Sequence, residues 1–448
     1  MERNLTSGSV LKNVLRFSLP YLLSYFLQTL YGMADLFIIG QYEGVASTTA
    51  VSIGSQIMHM LTVMLVGLAM GSTVLIGRAV GANERERMAV GVGNTVTLFM
   101  SLSLALMAAL LLLTRPIAAL MATPTEAMSG TVTYLKICFA GIPFITAYNI
   151  ISSIFRGMGD SKTPMCFIAV ACAANIVLDY LFMGALDMGP AGAALGTTLA
   201  QAISVAVSLA AILKRRKGLT LNRGDFRPQR EILGQILKIG LPVALQDGFI
   251  QVSFVVITII ANHRGLTDAA AVGIVEKIIG FLFLVPSSML STVSALGAQN
   301  IGAGKPERAV ATLRYGALIA AGFGAMMSVL VQFIAPAMVS LFTPDAAVAA
   351  AGGQYMRGYI LDCAFAGVQF SFSGYFCACG RSGLSFMHNF LSIVLVRIPG
   401  AYLASRYFPN TLLPMGLASA AGSLLSIIIC VAAFAVILQR GRRAVQGA

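Results

Sequence analysis

Two aspartates, Asp35 and Asp179, lie inside long apolar stretches with no basic residue within one or two helical turns. A carboxylate at membrane depth costs about 2.5–3.5 kcal/mol on insertion scales, so such a residue is rarely without a role. These two acids are therefore the first candidates for chemistry in this chain.

Polar residues accompany both acids at helical spacing. Tyr31 precedes Asp35 by one turn and Gln28 precedes it by two, on the same helical face. Asn175 stands in the same relation to Asp179, one turn earlier. Each acid is thus expected on a helix face that carries further hydrogen-bonding groups.

Thr197, in the sixth predicted span, falls at a depth similar to that of the two acids. If the first, fifth and sixth helices meet, these groups converge in an oxygen-rich pocket without a fixed positive charge. Two adjacent carboxylates in a low dielectric cannot both stay ionised, so the pocket takes up a proton. Alternatively, it holds a sodium ion on the oxygens of Asp35, Asn175, Asp179 and Thr197. A third reading is a protonated polar cluster that only holds helices together.

The elements that position these residues are membrane spans. Hydrophobic residues make up 57% of the chain and charged residues 10%, against about 25% charged in soluble domains. Mean hydropathy is +0.84. We predict an all-α integral membrane protein with twelve transmembrane helices, near 13–40, 47–76, 89–113, 129–155, 164–185, 190–213, 232–261, 268–296, 309–334, 347–377, 384–405 and 412–438.

The chain repeats itself at an offset of 221 or 222 residues. The pair Leu19-Pro20 matches Leu241-Pro242, and the segment 81–87 matches 302–308. Repeats with six spans each start and finish on one side, so they predict two six-helix bundles related by a pseudo-twofold axis along the membrane normal. The predicted divisions are an N-terminal lobe at 1–213, a cytoplasmic linker at 214–230 and a C-terminal lobe at 231–440.

The acids are not repeated: Asp35 falls opposite Ile257, and Asp179 falls opposite Gly400. Shared positions specify a scaffold, whereas unshared acids indicate where function resides. Asp247, Glu276 and Asp362 also lie at membrane depth. We expect them to be paired or interfacial, because Glu276 adjoins Lys277, Asp362 shares a span with Arg357, and Asp247 lies near a span end.

The formal net charge is +13, and most Lys and Arg fall in loops on one side of the predicted topology. This bias predicts a multi-pass protein of the cell inner membrane with both termini cytoplasmic. We interpret the basic cluster in the linker as a contact to anionic headgroups and not to nucleic acid. The cluster contains Lys214, Arg215, Arg216, Lys217, Arg223, Arg227 and Arg230.

Two equivalent bundles create a cleft that opens to either side when they rock, which suggests alternating access. Pro20 in the first span removes one backbone hydrogen bond and is predicted as a hinge. Methionine suits a promiscuous cavity because it is flexible and polarizable. The candidates for the substrate cavity are Gln28, Met33, Met64, Asn149 and Gln251.

Together, Pro20, Tyr31, Asp35, the segment 175–179 and Thr197 resemble the multidrug and toxic compound extrusion (MATE) family, most closely its DinF-like branch. The loop 156–164 is also similar to a family signature. The resemblance implies that Tyr31, Asp35, Asn175, Asp179 and Thr197 form a cation-coupling network, with drug expelled as H⁺ or Na⁺ enters.

The NorM-like branch of that family uses a Glu in span seven and an Asp in span ten. Gln251 and Ala366 stand at the matching positions, so coupling is expected to run through the N-terminal lobe alone. We expect a monomeric antiporter for amphipathic, often cationic small molecules, in contact with membrane lipids and without a cofactor.

The main alternative is a lipid-linked oligosaccharide flippase, which needs a cationic cavity for pyrophosphate. The candidate bases, Lys136, Lys277, Arg357 and Arg397, are few and partly pairable. An enzyme is a third class, but no nucleophile–base or metal constellation is apparent in the sequence.

Overall fold

The computed structural model describes residues 5–214 and 221–446, with side chains through residue 439, and this part of the chain is almost entirely helical. Eleven helices are long and apolar enough to cross a membrane, and a bent helix pair provides a twelfth. The prediction of an all-α, twelve-helix membrane protein is confirmed. The helices are α1 (Val10–Tyr42), α2 (Val45–Gly81), α3 (Arg85–Leu120), α4 (Thr125–Ala140 and Ile142–Gly157), α5 (Lys162–Ala185), α6 (Gly189–Lys214), α7 (Arg230–Asn262), α8 (Leu266–Gly302), α9 (Pro306–Ser340), α10 (Ala346–Ala378), α11 (Ser382–Tyr407) and α12 (Leu413–Gln446).

Most of these helices exceed the thickness of a bilayer. The longest contain 33–37 residues, or about 50 Å, against a hydrocarbon core of about 30 Å. Their ends therefore reach the headgroup region. Helix α4 is one bent span, whose two segments meet at an angle of 48° around Gly141. Pro143 follows that break, and because it has no N–H it cannot bond back across it.

The described chain divides into two compact units. The first consists mainly of Leu15–Ala244, and the second mainly of Leu245–Ile301 and the chain from Lys305 onwards. Each unit has its own buried apolar clusters. The division falls inside α7, two residues after Pro242, and not in the predicted linker. The predicted domain boundaries remain a prediction.

Glycines allow helices to approach within backbone contact in the second unit. A Cβ added at Gly358 of α10 would collide with the carbonyl oxygen of Leu413, and one at Gly416 of α12 would collide with that of Tyr355. Small residues replace the hydrophobic drive that lipid does not supply between helices. The crossing of α10 and α12 is consequently tight.

The connector before α7 is bound to α3 through the buried amide of Asn94. Its Nδ2 donates to the carbonyl oxygens of Asp225 (3.1 Å) and Arg227 (3.2 Å), and its Oδ1 accepts from the backbone N–H of Gln229 (2.7 Å). One side chain thus holds three points of the connector against α3.

The described members of the predicted basic cluster, Lys214, Arg223, Arg227 and Arg230, are exposed. Exposure leaves them accessible to headgroups or to solvent. Arg215, Arg216 and Lys217 lie outside the described residues.

Candidate functional site

Helices α1, α5 and α6 bring the predicted acids together in the first unit. In α5, Asp179 is the last residue of regular α-helix before a π-helical segment, Tyr180–Ala185. Such wide turns break the regular helical hydrogen-bond ladder and often occur at functional sites. Asp35, Asn175 and Asp179 are all at most 2% exposed.

Asp35 is the centre of the cluster. Its Oδ2 accepts a hydrogen bond of 3.0 Å from the Oγ1 of Thr197. The side chains of Asp179 and Asn175 also lie within interaction range of its carboxyl group. Two ionised carboxylates cannot bond to each other, because neither has a hydrogen to donate. A proton or a cation between Asp35 and Asp179 would join them.

The carboxylate of Asp179 packs directly against Gly196 of α6. A Cβ added at Gly196 would collide with the Oδ1 of Asp179. Neither Asp179 oxygen has a hydrogen-bond partner among the described residues, and the same is true of Asp35 Oδ1 and Asn175 Oδ1. The cluster thus has four buried acceptor oxygens, and the nearby Nδ2 of Asn175 is a buried donor that also has no partner among the described residues. Unsatisfied buried acceptors of this kind are costly, so they favour an occupant.

Oxygen donors without a nearby base are suited to a proton or a hard monovalent cation, and not to a transition metal. Among the described residues, no cluster of three or more His, Cys, Asp or Glu could hold a metal ion. The residues at the site fit sodium through two carboxylates, one amide oxygen and one hydroxyl. They equally fit a single shared proton.

Tyr31 extends the network away from the acids. Its hydroxyl lies near the side chain of Gln201 on α6, and the ring is close to both Asp35 and Tyr148. Gln201 is 5% exposed, and its Oε1 has no partner among the described residues. The sequence analysis missed Gln201, although it lies one turn after Thr197 and hence on the same face of α6.

An aromatic pair lies at the ends of α1 and α5. The rings of Tyr42 and Tyr180 meet edge to face, with their centroids 6.3 Å apart. Tyr180 directly follows Asp179, and Tyr42 also packs on Gly184 of the π segment, 3.0 Å from where a Cβ would be. These contacts hold the end of α1 against the irregular part of α5.

The cavity role of the predicted substrate-cavity residues stays a prediction, and the structure describes the surroundings of each within its own unit. Gln28 is near Tyr148, and the buried Asn149 donates its Nδ2 to the Ile145 carbonyl of its own helix (2.9 Å). The remaining candidates differ in exposure. Met33 is 43% exposed, Met64 is half-buried, and Gln251 is half-buried in the second unit.

Pro20 lies inside α1, which continues as one unbroken helix from Val10 to Tyr42. The proline ring leaves the carbonyl of Arg16 without its usual intrahelical donor. The hydroxyl of Ser24 donates to the Pro20 carbonyl (2.9 Å). The hinge role of Pro20 stays a prediction.

Among the described residues, Glu276 does not pair with Lys277 and Asp362 does not pair with Arg357, whereas the interfacial location expected for Asp247 stays a prediction. The ion pairs under 4.0 Å that the described residues show include Arg87 with Glu84 and Arg264 with Asp268, and neither pair involves Glu276 or Asp362. Neighbouring residues on a helix point in different directions, so Lys277 does not face Glu276.

Glu276 and Asp362 share a buried base that the sequence analysis did not connect with them. Arg397, at the end of a second π segment, Ile393–Arg397, is the electrostatic neighbour of both acids. Its guanidinium donates to the hydroxyl of Tyr359 (2.6 Å) and lies 4.9 Å from the ring centroid of Phe254. The second unit therefore contains acids accompanied by a base, whereas no described base neighbours Asp35 or Asp179.

The sequence matches the MatE family profile twice, over residues 20–181 and 242–403. The chain belongs to the MatE family. The two matches are offset by 222 residues, which confirms the predicted repeat. The family relationship also confirms the prediction of a membrane transporter rather than an enzyme. It does not distinguish the DinF-like branch from others.

Relatives of similar length support the same assignment. The chain is 29% identical over 412 residues to the probable multidrug resistance protein YpnP of Bacillus subtilis, with 92% of each chain covered. It is 25% identical over 372 residues to the multidrug export protein MepA of Staphylococcus aureus, covering 83% of this chain and 82% of that one.

Among solved structures, the fold matches an outward-facing conformation of a multidrug resistance MATE family transporter of the MOP superfamily. The TM-score is 0.91, 98% of each chain is covered, and the identity is 21%. At that identity, the match shows the fold alone.

Proposed function

We propose that the protein is an antiporter that exports amphipathic, often cationic small molecules in exchange for H⁺ or Na⁺. The observation that carries this proposal is the buried, base-free cluster of Asp35, Asp179, Asn175 and Thr197, with four oxygens that have no partner among the described residues. The names of YpnP, a probable multidrug resistance protein, and MepA, a multidrug export protein, support export of drugs.

In the proposed cycle, the empty site carries unbalanced negative charge. Entry of a proton or Na⁺ removes one unit of that negative charge and draws Asp179 towards Asp35. The altered contact at Asp35 changes the forces on α1, and the helix bends at Pro20 because a backbone hydrogen bond is missing there. Bending changes the surface that α1 offers to the substrate, which is released.

The gradients available to a cell are adequate for this exchange. One pH unit supplies about 1.4 kcal/mol per proton, and 100 mV supplies about 2.3 kcal/mol per charge moved. A one-for-one exchange of H⁺ for a monovalent cation moves no net charge. In that case, only the pH difference drives export.

The test is efflux of a cationic dye from vesicles under an imposed pH gradient alone or sodium gradient alone. Asp35→Asn and Asp179→Asn keep the shape of each side chain but remove its charge. We expect both variants to lose gradient-driven efflux. The gradient that drives the wild type identifies the coupling ion.

Asp187→Asn is the matched control, because Asp187 is an exposed acid in the loop that follows α5. It should transport like the wild type. Wild-type efflux in both Asp35→Asn and Asp179→Asn, at equal amounts of protein in the vesicles, would refute the assignment of the site.

The same proposal places the chain in the inner membrane as a monomer with both termini cytoplasmic. The relatives that support this location are bacterial. The exposure of the described linker bases agrees with a cytoplasmic, headgroup-facing linker. Cysteine labelling from either side, at Ser7→Cys and at Thr343→Cys, would test this orientation.

A further inference from the structure

Two cavities meet at Arg357 on the surface of the second unit, where α9, α10 and α12 come together. The larger, of about 560 Å³, extends from Arg357 to the loop between α9 and α10. Its polar lining residues are Ser340, Thr343, Asp345, Gln354 and Arg357. The smaller, of about 310 Å³, lies on the other side of Arg357 and is mostly apolar.

The guanidinium of Arg357 has no hydrogen-bond or ion-pair partner in the part of the chain that the structure describes. Its Nε is a buried donor without an acceptor. Only the backbone of this residue is bonded, through its carbonyl oxygen, which accepts from Gln332 Nε2 (3.1 Å). An unpaired base in a membrane-spanning helix is costly. Its counter-ion must then come from the surroundings of the protein.

The depth of Arg357 suits a headgroup. It lies about three turns after the start of α10 at Ala346, and helical side chains point towards the N-terminus. The guanidinium is thus directed back to the α9–α10 loop, as bases near helix ends commonly are. The larger cavity occupies this path and opens it to the membrane surface.

The smaller cavity continues from Arg357 towards the membrane interior. Its apolar lining includes Val329, Leu361 and Leu413, which are 63%, 37% and 37% exposed on membrane-spanning helices. Exposed apolar side chains at this depth face acyl chains. The larger cavity contains the charged side chains and the smaller one is an apolar slot, and the two share Arg357, so together they offer a place for a headgroup and for an acyl chain.

Asp345 determines which type of lipid headgroup the larger cavity favours. It lines the larger cavity, and its Oδ1 caps α10 by accepting from the N–H groups of Ala347 (2.8 Å) and Val348 (3.3 Å). A carboxylate in the cavity repels a purely anionic headgroup but attracts an ammonium group. The cavity thus offers one positive and one negative side chain to its occupant.

We propose that this paired cavity binds a phospholipid whose headgroup carries both a phosphate and a primary amine. Its phosphate binds Arg357, its amine binds Asp345, and one acyl chain lies in the apolar slot. In the proposed topology, the lipid belongs to the outer leaflet. The site does not depend on the coupling cluster in the first unit, so it can fail while the transport proposal holds.

The test is thermal unfolding of the purified full chain in detergent with added lipid of matched acyl chains. Phosphatidylethanolamine should raise the Tm of the wild type by about 2 °C or more. Phosphatidylglycerol, which lacks the amine, and phosphatidylcholine, whose amine is methylated, should have smaller effects. Inorganic phosphate alone should have none.

Arg357→Gln should abolish the response to every lipid. Arg357→Lys keeps the charge but loses the bidentate hydrogen bonding of the guanidinium. This variant should need about tenfold more lipid for the same rise in Tm. Asp345→Asn retains a good N-cap residue, so it should fold, respond to lipid and lose only the preference for phosphatidylethanolamine. Arg115→Gln, which removes an exposed base near the end of α3, is the charge-matched control and should respond like the wild type.

Three results would overturn the proposal. One is a wild-type lipid response in Arg357→Gln. Another is equal stabilisation of the wild type by phosphatidylglycerol and phosphatidylethanolamine, which would remove the role of Asp345. The third is equal stabilisation by inorganic phosphate, which would make the cavity a site for free anions.

Discussion

Gly196→Ala tests the coupling site without removing any ionisable group. The new Cβ would occupy the position of Asp179 Oδ1, so the carboxylate must move away from α6. Losing one charged ligand or hydrogen bond costs about 1.5–3 kcal/mol. At about 1.4 kcal/mol per tenfold change, we expect the driving-ion concentration for half-maximal efflux to rise about 10- to 100-fold.

The assay is dye efflux from vesicles as a function of external H⁺ or Na⁺. Gly32→Ala is the control, since a Cβ at Gly32 meets nothing within 4 Å. Both substitutions bring the same gain of about 0.5–1 kcal/mol in helix propensity, so a difference between them reports the clash. If Gly196→Ala shows the ion dependence of the wild type, Asp179 is not an ion ligand and the reasoning is refuted.

Two further predictions concern single side chains. Thr197→Val removes the hydroxyl that donates to Asp35. If Na⁺ is the driving ion, the loss of this ligand should raise the Na⁺ concentration for half-maximal efflux about tenfold or more. If H⁺ is the driving ion, the H⁺ concentration for half-maximal efflux should fall, because the ionised Asp35 loses a donor that favours it. Thr198→Val should leave either concentration unchanged, because the Thr198 hydroxyl shows no hydrogen bond to Asp35 or Asp179 among the described residues. Arg397→Gln removes the bond to Tyr359 and leaves buried acids without their base. It should lower unfolding stability by about 1.5–3 kcal/mol, measured by thermal denaturation, and a normal Tm would contradict this role.

The fold was largely accessible from the sequence because long apolar stretches and the repeat leave few alternatives in a membrane. Irregularities within a membrane span are harder to predict from the sequence. The bend of α4 at Gly141 was missed, since the predicted span 129–155 has uniform hydropathy across the break. The π segment after Asp179 was missed for the same reason. One extra residue in a helical turn leaves no compositional trace.

The convergence of Asp35, Asp179 and Thr197 could be predicted from spacing, because residues one turn apart share a helix face and similar depths meet when helices pack. The partner of Glu276 could not. Arg397 lies 121 positions later in the chain, and only the packing of α8 against other helices makes them neighbours. Adjacency in sequence suggested Lys277 instead, although the geometry of a helix separates consecutive side chains.

The three hydrogen bonds between Asn94 and the connector have a practical consequence for engineering the protein. A tag or fluorescent protein inserted between Asp225 and Gln229 would have to break three bonds made by one amide, so this stretch is a poor site for a reporter even though it joins the two repeats. Splitting the gene there to express the halves separately would also leave the Asn94 amide of the first fragment without some of its hydrogen-bond partners. Any such design should retain residues through Gln229 with the first repeat.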